Sequence, residues 1–206
     1  MQLLTVYAYA YDLVQGMPIH LMTEVTSVLG IVNKLLKDDV LDRMKRLDIR
    51  VDLEFEGHGR FQVVIVGGGA LVLRDCITRG TDDIDVLEAD KRLYGLMSLY
   101  DMNGDVNAYA DHFPYNYPNR VELVWSGKII DYYTASLEDI VISKLCADRE
   151  KDLDDLAEVF HLVDWDRLNE LAYSEGELKL IISDRRYMDF TASYEVFERR
   201  YRPCKD

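Results

Sequence analysis

Hydrophobic positions recur every three or four residues from Met22 to Leu47: Val28, Ile31, Val32 and Leu35 are followed by Leu36, Val40, Leu41 and Met44. This spacing predicts a helix over 22–47. Arg50–Phe55 alternates apolar and polar residues and predicts a half-buried strand, closed by a turn at Gly57-His58-Gly59. Phe61–Val66 is a nearly continuous apolar run, as in a strand buried on both faces. It stops at Gly67-Gly68-Gly69, and Ala70–Arg74 suits a short helix behind that bend. Thr78–Thr81 reads as a polar connection and Asp83–Leu87 as a second strand beside the first.

Lys91–Met102 predicts a helix through Leu93, Leu96 and Leu99, and the Asn-, Tyr- and Pro-rich stretch 103–119 predicts a loop. Val121–Trp125, the turn Ser126-Gly127-Lys128 and Ile129–Tyr133 form a β-hairpin pattern. Ser136, with Asp139 three residues on, is a helix N-cap, and the pattern stays helical from there to the end. The order of elements predicts an α+β fold with an α/β-like core: a small mixed β-sheet flanked by helices, with a helical C-terminal part. We expect an N-terminal extension over 1–21, a core over 22–135 and the helical part over 136–206.

The 206 residues, 49% hydrophobic and 30% charged, are enough to bury a core. A net charge of −14 argues against general nucleic-acid coating, which needs a surplus of Lys and Arg. The basic residues Arg185, Arg186, Arg199, Arg200 and Arg202 near the end read as a solvated helix face. Cys76, Cys146 and Cys204 show no paired spacing and fit a reducing, cytoplasmic setting. Residues 1–21 lack a basic n-region and a long apolar run, so neither a signal peptide nor a membrane span is expected.

Candidate chemistry concentrates in two places. Asp83 and Asp85 are two apart on a predicted strand and therefore share a face. Two such carboxylates repel unless a cation lies between them, which makes the pair a natural Mg²⁺ (or Mn²⁺) site. Three glycines after a buried strand permit a close backbone approach and expose N–H groups to an anion. The second place is the helix from Leu137. Lys144 lies inside its apolar stripe of Leu137, Ile140, Val141 and Leu145, so its ammonium needs a carboxylate or phosphate partner. The next stripe, Leu153, Leu156, Ala157, Phe160 and Val163, is out of phase with the first, which predicts a break near Arg149–Lys151. Asp152 then falls near the start of the second helix and beside its apolar face, with Asp155 farther round.

Gly67-Gly68-Gly69-Ala70-Leu71 followed by Arg79-Gly80-Thr81-Asp82-Asp83-Ile84-Asp85-Val86 resembles the Gly-Gly…Asp-x-Asp signature of the polymerase-β-like nucleotidyltransferase superfamily. The Arg-x-Thr-x-Asp-Ile-Asp form is most similar to AbiEii/MenT-like toxins and their uncharacterised bacterial relatives. Lys144-Leu145, Arg149 and Lys151-Asp152-Leu153-Asp154-Asp155-Leu156 match a later segment of those proteins, and the likeness spans roughly residues 60–165. It implies a nucleotidyltransferase fold and metal-dependent transfer of a nucleoside monophosphate from a triphosphate to a hydroxyl. The acceptor is an RNA end, a protein or a small molecule. By the same resemblance Asp83 and Asp85 hold the metal, and Gly67, Gly68, Gly69 and Thr81 shape the nucleotide site. Arg79 or Lys144 offsets phosphate charge. Asp131, from the second hairpin strand, or Asp152 activates the acceptor. The alternatives are a non-catalytic nucleotide- or partner-binding relative, or a toxin component restrained by an antitoxin.

Overall fold

The computed structural model describes residues 34–56, 59–174 and 176–203. The expected extension over 1–21, the first part of the predicted 22–47 helix, most of the Gly57–Gly59 turn and Cys204 lie outside the described residues.

Helix α1 spans Lys37–Glu54, with Val40, Met44, Leu47, Asp48 and Val51 on its buried side. The strand expected at 50–55 is instead the last turn of this helix. Val51 continues the stripe of Met44 and Leu47 at helical spacing, and that longer pattern outweighs six residues of alternation. Strand β1 (Phe61–Val66) is buried at every position but Gln62, as its composition demanded. Helix α2 (Gly67–Leu73) begins on the glycines themselves rather than after them.

Strand β2 (Ile84–Ala89) runs antiparallel to β1, with Val66 opposite Asp85. The predicted helix at 91–102 breaks into a 3-10 turn, a short α3 (Tyr94–Met97) and a second 3-10 turn. Gly95 weakens the segment and Asp101 ends it in a left-handed conformation. Strand β3 (Met102–Asn103) adds parallel to β2, and a 3-10 segment follows over Asp105–His112. Strands β4 (Glu122–Ser126) and β5 (Ile130–Thr134) form the expected hairpin, and β5 lies parallel to β1. The sheet order is β3-β2-β1-β5-β4.

Helices α4 (Leu137–Ala147), α5 (Glu150–Val159), α6 (Trp165–Tyr173), α7 (Leu178–Ile181) and α8 (Asp184–Tyr201) complete the chain. They belong to the same compact unit as the sheet. Ser136 caps α4 as predicted, accepting from the Asp139 N–H. The break between α4 and α5 is a left-handed Asp148 followed by an extended Arg149. No helix among the described residues is long and apolar enough to cross a membrane. Cys76 and Cys146 are free thiols. The basic residues at the two ends of α8 are partly neutralised: Arg186 in its first turn pairs with Asp111, and Arg202 after its last residue with Asp166 at 3.0 Å.

One buried charge ties the hairpin to α1. Asp48, 5% exposed, accepts the backbone N–H groups of Lys128 (2.8 Å), Ile129 (3.0 Å) and Ile130 (2.8 Å). Three donors satisfied by one carboxylate cannot find water once it is gone. Asp48→Ala is expected to cost about 3 kcal/mol, seen as a fall in the urea midpoint. A loss below about 1 kcal/mol would mean that solvent reaches those donors.

Candidate active site

The end of β1 and the start of β2 build the site. Because Val66 faces Asp85 across the ladder, that carboxylate stands where β1 gives way to α2. Gly67 turns the chain there with φ of +63°, a backbone that side chains resist. A β-carbon on Gly67 would lie 2.6 Å from Asp85 Oδ2, and one on Gly68 2.7 Å from Thr81 Oγ1. Bare backbone thus allows the carboxylate and the hydroxyl to pack against the bend. Thr81 Oγ1 donates to the Asp83 carbonyl at 3.0 Å. The Thr81 backbone is bonded in both directions to Leu35 (2.6 and 2.9 Å), so the segment carrying Asp83 is held from behind.

Asp83 and Asp85 line one cavity of about 360 Å³ together with Gly67. Burial pushes the Asp85 carboxyl up to about 6, and the Asp83 carboxylate adds to the rise. Lys151, Arg149 and Lys144 oppose it through their charges. Helix α4 contributes Ile140, Ser143, Lys144 and Ala147 to the walls, and the start of α5 contributes Arg149 and Lys151. Asn103 on β3 and the residues Val106, Tyr109, His112 and Phe113 close the remaining side.

The three cations differ in what already holds them. Lys144, 5% exposed, donates to Asp152 Oδ1 at 2.7 Å and to Asp155 Oδ2 at 2.6 Å. Both carboxylates are 1% exposed. Arg149 bonds Asp152 through Nε (2.7 Å) and Nη2 (3.3 Å). Burial works against the Asp152 carboxylate, but the hydrogen bond from Arg149 and the charge of Lys144 outweigh it and hold its pKa below the ordinary value. Lys151 is exposed and forms no salt bridge among the described residues.

The structure brings Asp83, Asp85, Gly67 and Lys144 to the cavity, with Asp152 directly behind Lys144. Gly68 and Thr81 support it from behind, and Gly69 packs on Ile65 and Ile84. Arg79 points elsewhere: its guanidinium pairs with Asp155 on α5. Asp131 is also elsewhere. It pairs with Gln62 in the parallel ladder, four residues before Val66, or about 13 Å down the strand. There it accepts from Arg60 Nε (2.8 Å) and from Ser126 Oγ (2.5 Å). Asp155, expected farther round than Asp152, is equally buried and shares Lys144, because one turn of α5 places both carboxylates on the side facing α4.

Among the described residues no group of three or more His, Cys, Asp or Glu gathers as a metal cage. Asp83 and Asp85 therefore offer two hard oxygen ligands and leave the rest of a shell to water and substrate. This is the donor set that Mg²⁺ accepts when it is delivered with phosphate.

Residues 38–202 match the family model described as Nucleotidyltransferase of unknown function (DUF6036). The chain belongs to that family. The match runs from α1 to the end of α8, so the sheet, the cavity and the C-terminal helices all fall inside the nucleotidyltransferase span. The mixed sheet with flanking helices is the nucleotidyltransferase fold that the motifs implied. No curated protein and no solved structure matches the chain.

Within this member of the family, the cavity residues outside the expected set include Lys151, Tyr109 and His112, together with a cavity-facing role for Arg149. Arg149 and Lys151 stood inside the quoted motif, next to the predicted break. Tyr109 and His112 had only an aromatic-rich loop to mark them, and such a loop carries no period from which to read a face.

Proposed function

We propose that the protein transfers a nucleoside monophosphate from a nucleoside triphosphate to an acceptor hydroxyl, with Mg²⁺ or Mn²⁺ held by Asp83 and Asp85. The reading rests above all on Asp83 and Asp85 lining one cavity, with the Asp85 carboxylate packed against the Gly67 bend. When bound, the metal supplies Lewis-acid neutralisation of phosphate charge. The chain's own groups do the rest. Gly67 leaves room for the Asp85 carboxylate to stand against the bend. Lys151 and the Arg149 guanidinium line the same cavity and offset polyphosphate charge, the role expected of Arg79 or Lys144. Lys144, already shared by Asp152 and Asp155, fixes the start of α5 and so positions those cations. In the reaction the acceptor oxygen bonds to the α-phosphorus, the bond to the bridging oxygen breaks and pyrophosphate leaves, while the hydroxyl proton passes to solvent water.

The test is incubation with each α-labelled triphosphate, Mg²⁺ and a cell extract. The expected result is a labelled acceptor with wild-type protein and none with Asp83→Asn. Triphosphate binding without transfer, to any extract component, would point instead to a non-catalytic nucleotide-binding relative.

A further inference from the structure

The cavity lining is of two kinds. One is charged and polar, with Gly67 of the bend, Asp83, Asp85, Arg149 and Lys151. The other is a wall to which the 3-10 segment Asp105–His112 gives Val106, Tyr109 and His112, with Phe113 after it. This segment packs on both β2 and α4, so the wall is fixed relative to Asp85. Phe113, 3% exposed, is spent on the core, where it meets Tyr117 at 5.5 Å between ring centroids. His112 is 7% exposed. Tyr109 is different: it is 53% exposed at the cavity, yet its ring rests on His112 at 5.4 Å with 59° between the planes. The Arg149 guanidinium lines the same cavity as Asp85, Tyr109 and His112.

We infer that Tyr109, backed by His112, is the platform on which the nucleobase of the bound triphosphate stacks. The inference rests on the nucleotidyl-transfer reading and adds the base subsite to it. A triphosphate held by Asp83, Asp85, Arg149 and Lys151 shares its cavity with Tyr109, which among the described residues is the open aromatic surface there for its base. Every base has a π-face, so a stacking platform tolerates all four. The rigid imidazole behind Tyr109 limits the ordering that stacking requires.

Binding of the four nucleoside triphosphates and of inorganic tripolyphosphate, each with Mg²⁺, to wild type, Tyr109→Ala and Tyr109→Phe tests this. The expected result is that Tyr109→Ala weakens all four nucleotides about ten-fold. Tripolyphosphate affinity stays unchanged and Tyr109→Phe behaves as wild type. Unchanged nucleotide affinity in Tyr109→Ala overturns the platform and leaves the phosphate site standing. So does wild-type protein that binds tripolyphosphate as tightly as the nucleotides. Equal loss of nucleotides and tripolyphosphate in Tyr109→Ala also overturns it, by assigning Tyr109 to the shape of the phosphate site. Wild-type protein that binds neither ligand removes the nucleotide reading itself.

Discussion

Asp85→Asn is expected to end nucleotidyl transfer while making the metal-free protein more stable at neutral pH. On the proposed mechanism the activity loss follows from removing one of the two carboxylates that would hold the metal against phosphate, and should be at least about 10²-fold. The stability gain follows from the same charge. Burial and the Asp83 carboxylate raise the Asp85 carboxyl from 3.8 to about 6. The folded state thus holds this proton more tightly than the unfolded chain does. Protonated Asp85 favours folding at low pH, and that contribution is lost as pH rises through about 6. Above that pH the ionised group is a cost. Asparagine has the same shape against the Gly67 bend and carries no charge, so it removes the cost. With part of the side chain open to solvent, the gain is about 1–3 kcal/mol above pH 6 and vanishes below pH 4. Thermal melts at pH 4 and 7.5 in EDTA check the sign. Added Mg²⁺ should then stabilise the wild type and not the variant. If Asp85→Asn melts lower than wild type at pH 7.5 in EDTA, the carboxylate is supporting the fold rather than awaiting a cation, and the active-site reading loses its basis.

Lys144→Met is the substitution expected to cost most in stability. Its ammonium is the shared donor to Asp152 and Asp155 at 2.7 and 2.6 Å, and all three side chains are almost wholly buried. Removing the lysine leaves two buried carboxylates with no donor between them, each held only by its arginine, a loss of about 3 kcal/mol. That is a large part of the roughly 5–15 kcal/mol that holds a domain together. The damage should spread along the network, because Asp155 also holds Arg79 and Asp152 also holds Arg149. Lys144→Arg should not rescue it, since a planar fork does not replace a point charge between two acids on one helix. Adding Asp155→Asn to Lys144→Met should recover part of the loss, and a double-mutant cycle in urea measures that coupling. A Lys144→Met protein within 1 kcal/mol of wild type would mean that the pocket admits water and that the lysine is free to meet phosphate directly.

The two sets of residues also show how far local pattern reaches. Strand β1, the glycine bend, the Asp83/Asp85 pair, the hairpin, the Ser136 cap and the break after Ala147 were all legible. Each depends on residues within a few positions of one another: a buried strand is a run, a bend needs glycine, and two helical stripes out of phase need a break. Helix α1 shows the limit of that reasoning, since Arg50–Phe55 alternates like a strand and is helical because Met44 and Leu47 set the phase.

What only the folded chain decided are pairings between distant segments. Asp131 and Asp85 both read as candidate carboxylates, but the parallel register of β5 on β1 put Asp131 at the wrong end of the sheet, in the hands of Arg60. Arg79 stood beside the Asp83/Asp85 motif and was turned to Asp155, more than seventy residues on. Asp48 gave no sign of its three hairpin donors, and Tyr109 none of its place on the cavity wall. Charge and hydrogen-bond partners are chosen by proximity in space, and in a mixed sheet that proximity is set by strand order and register, neither of which is written in any local window of sequence.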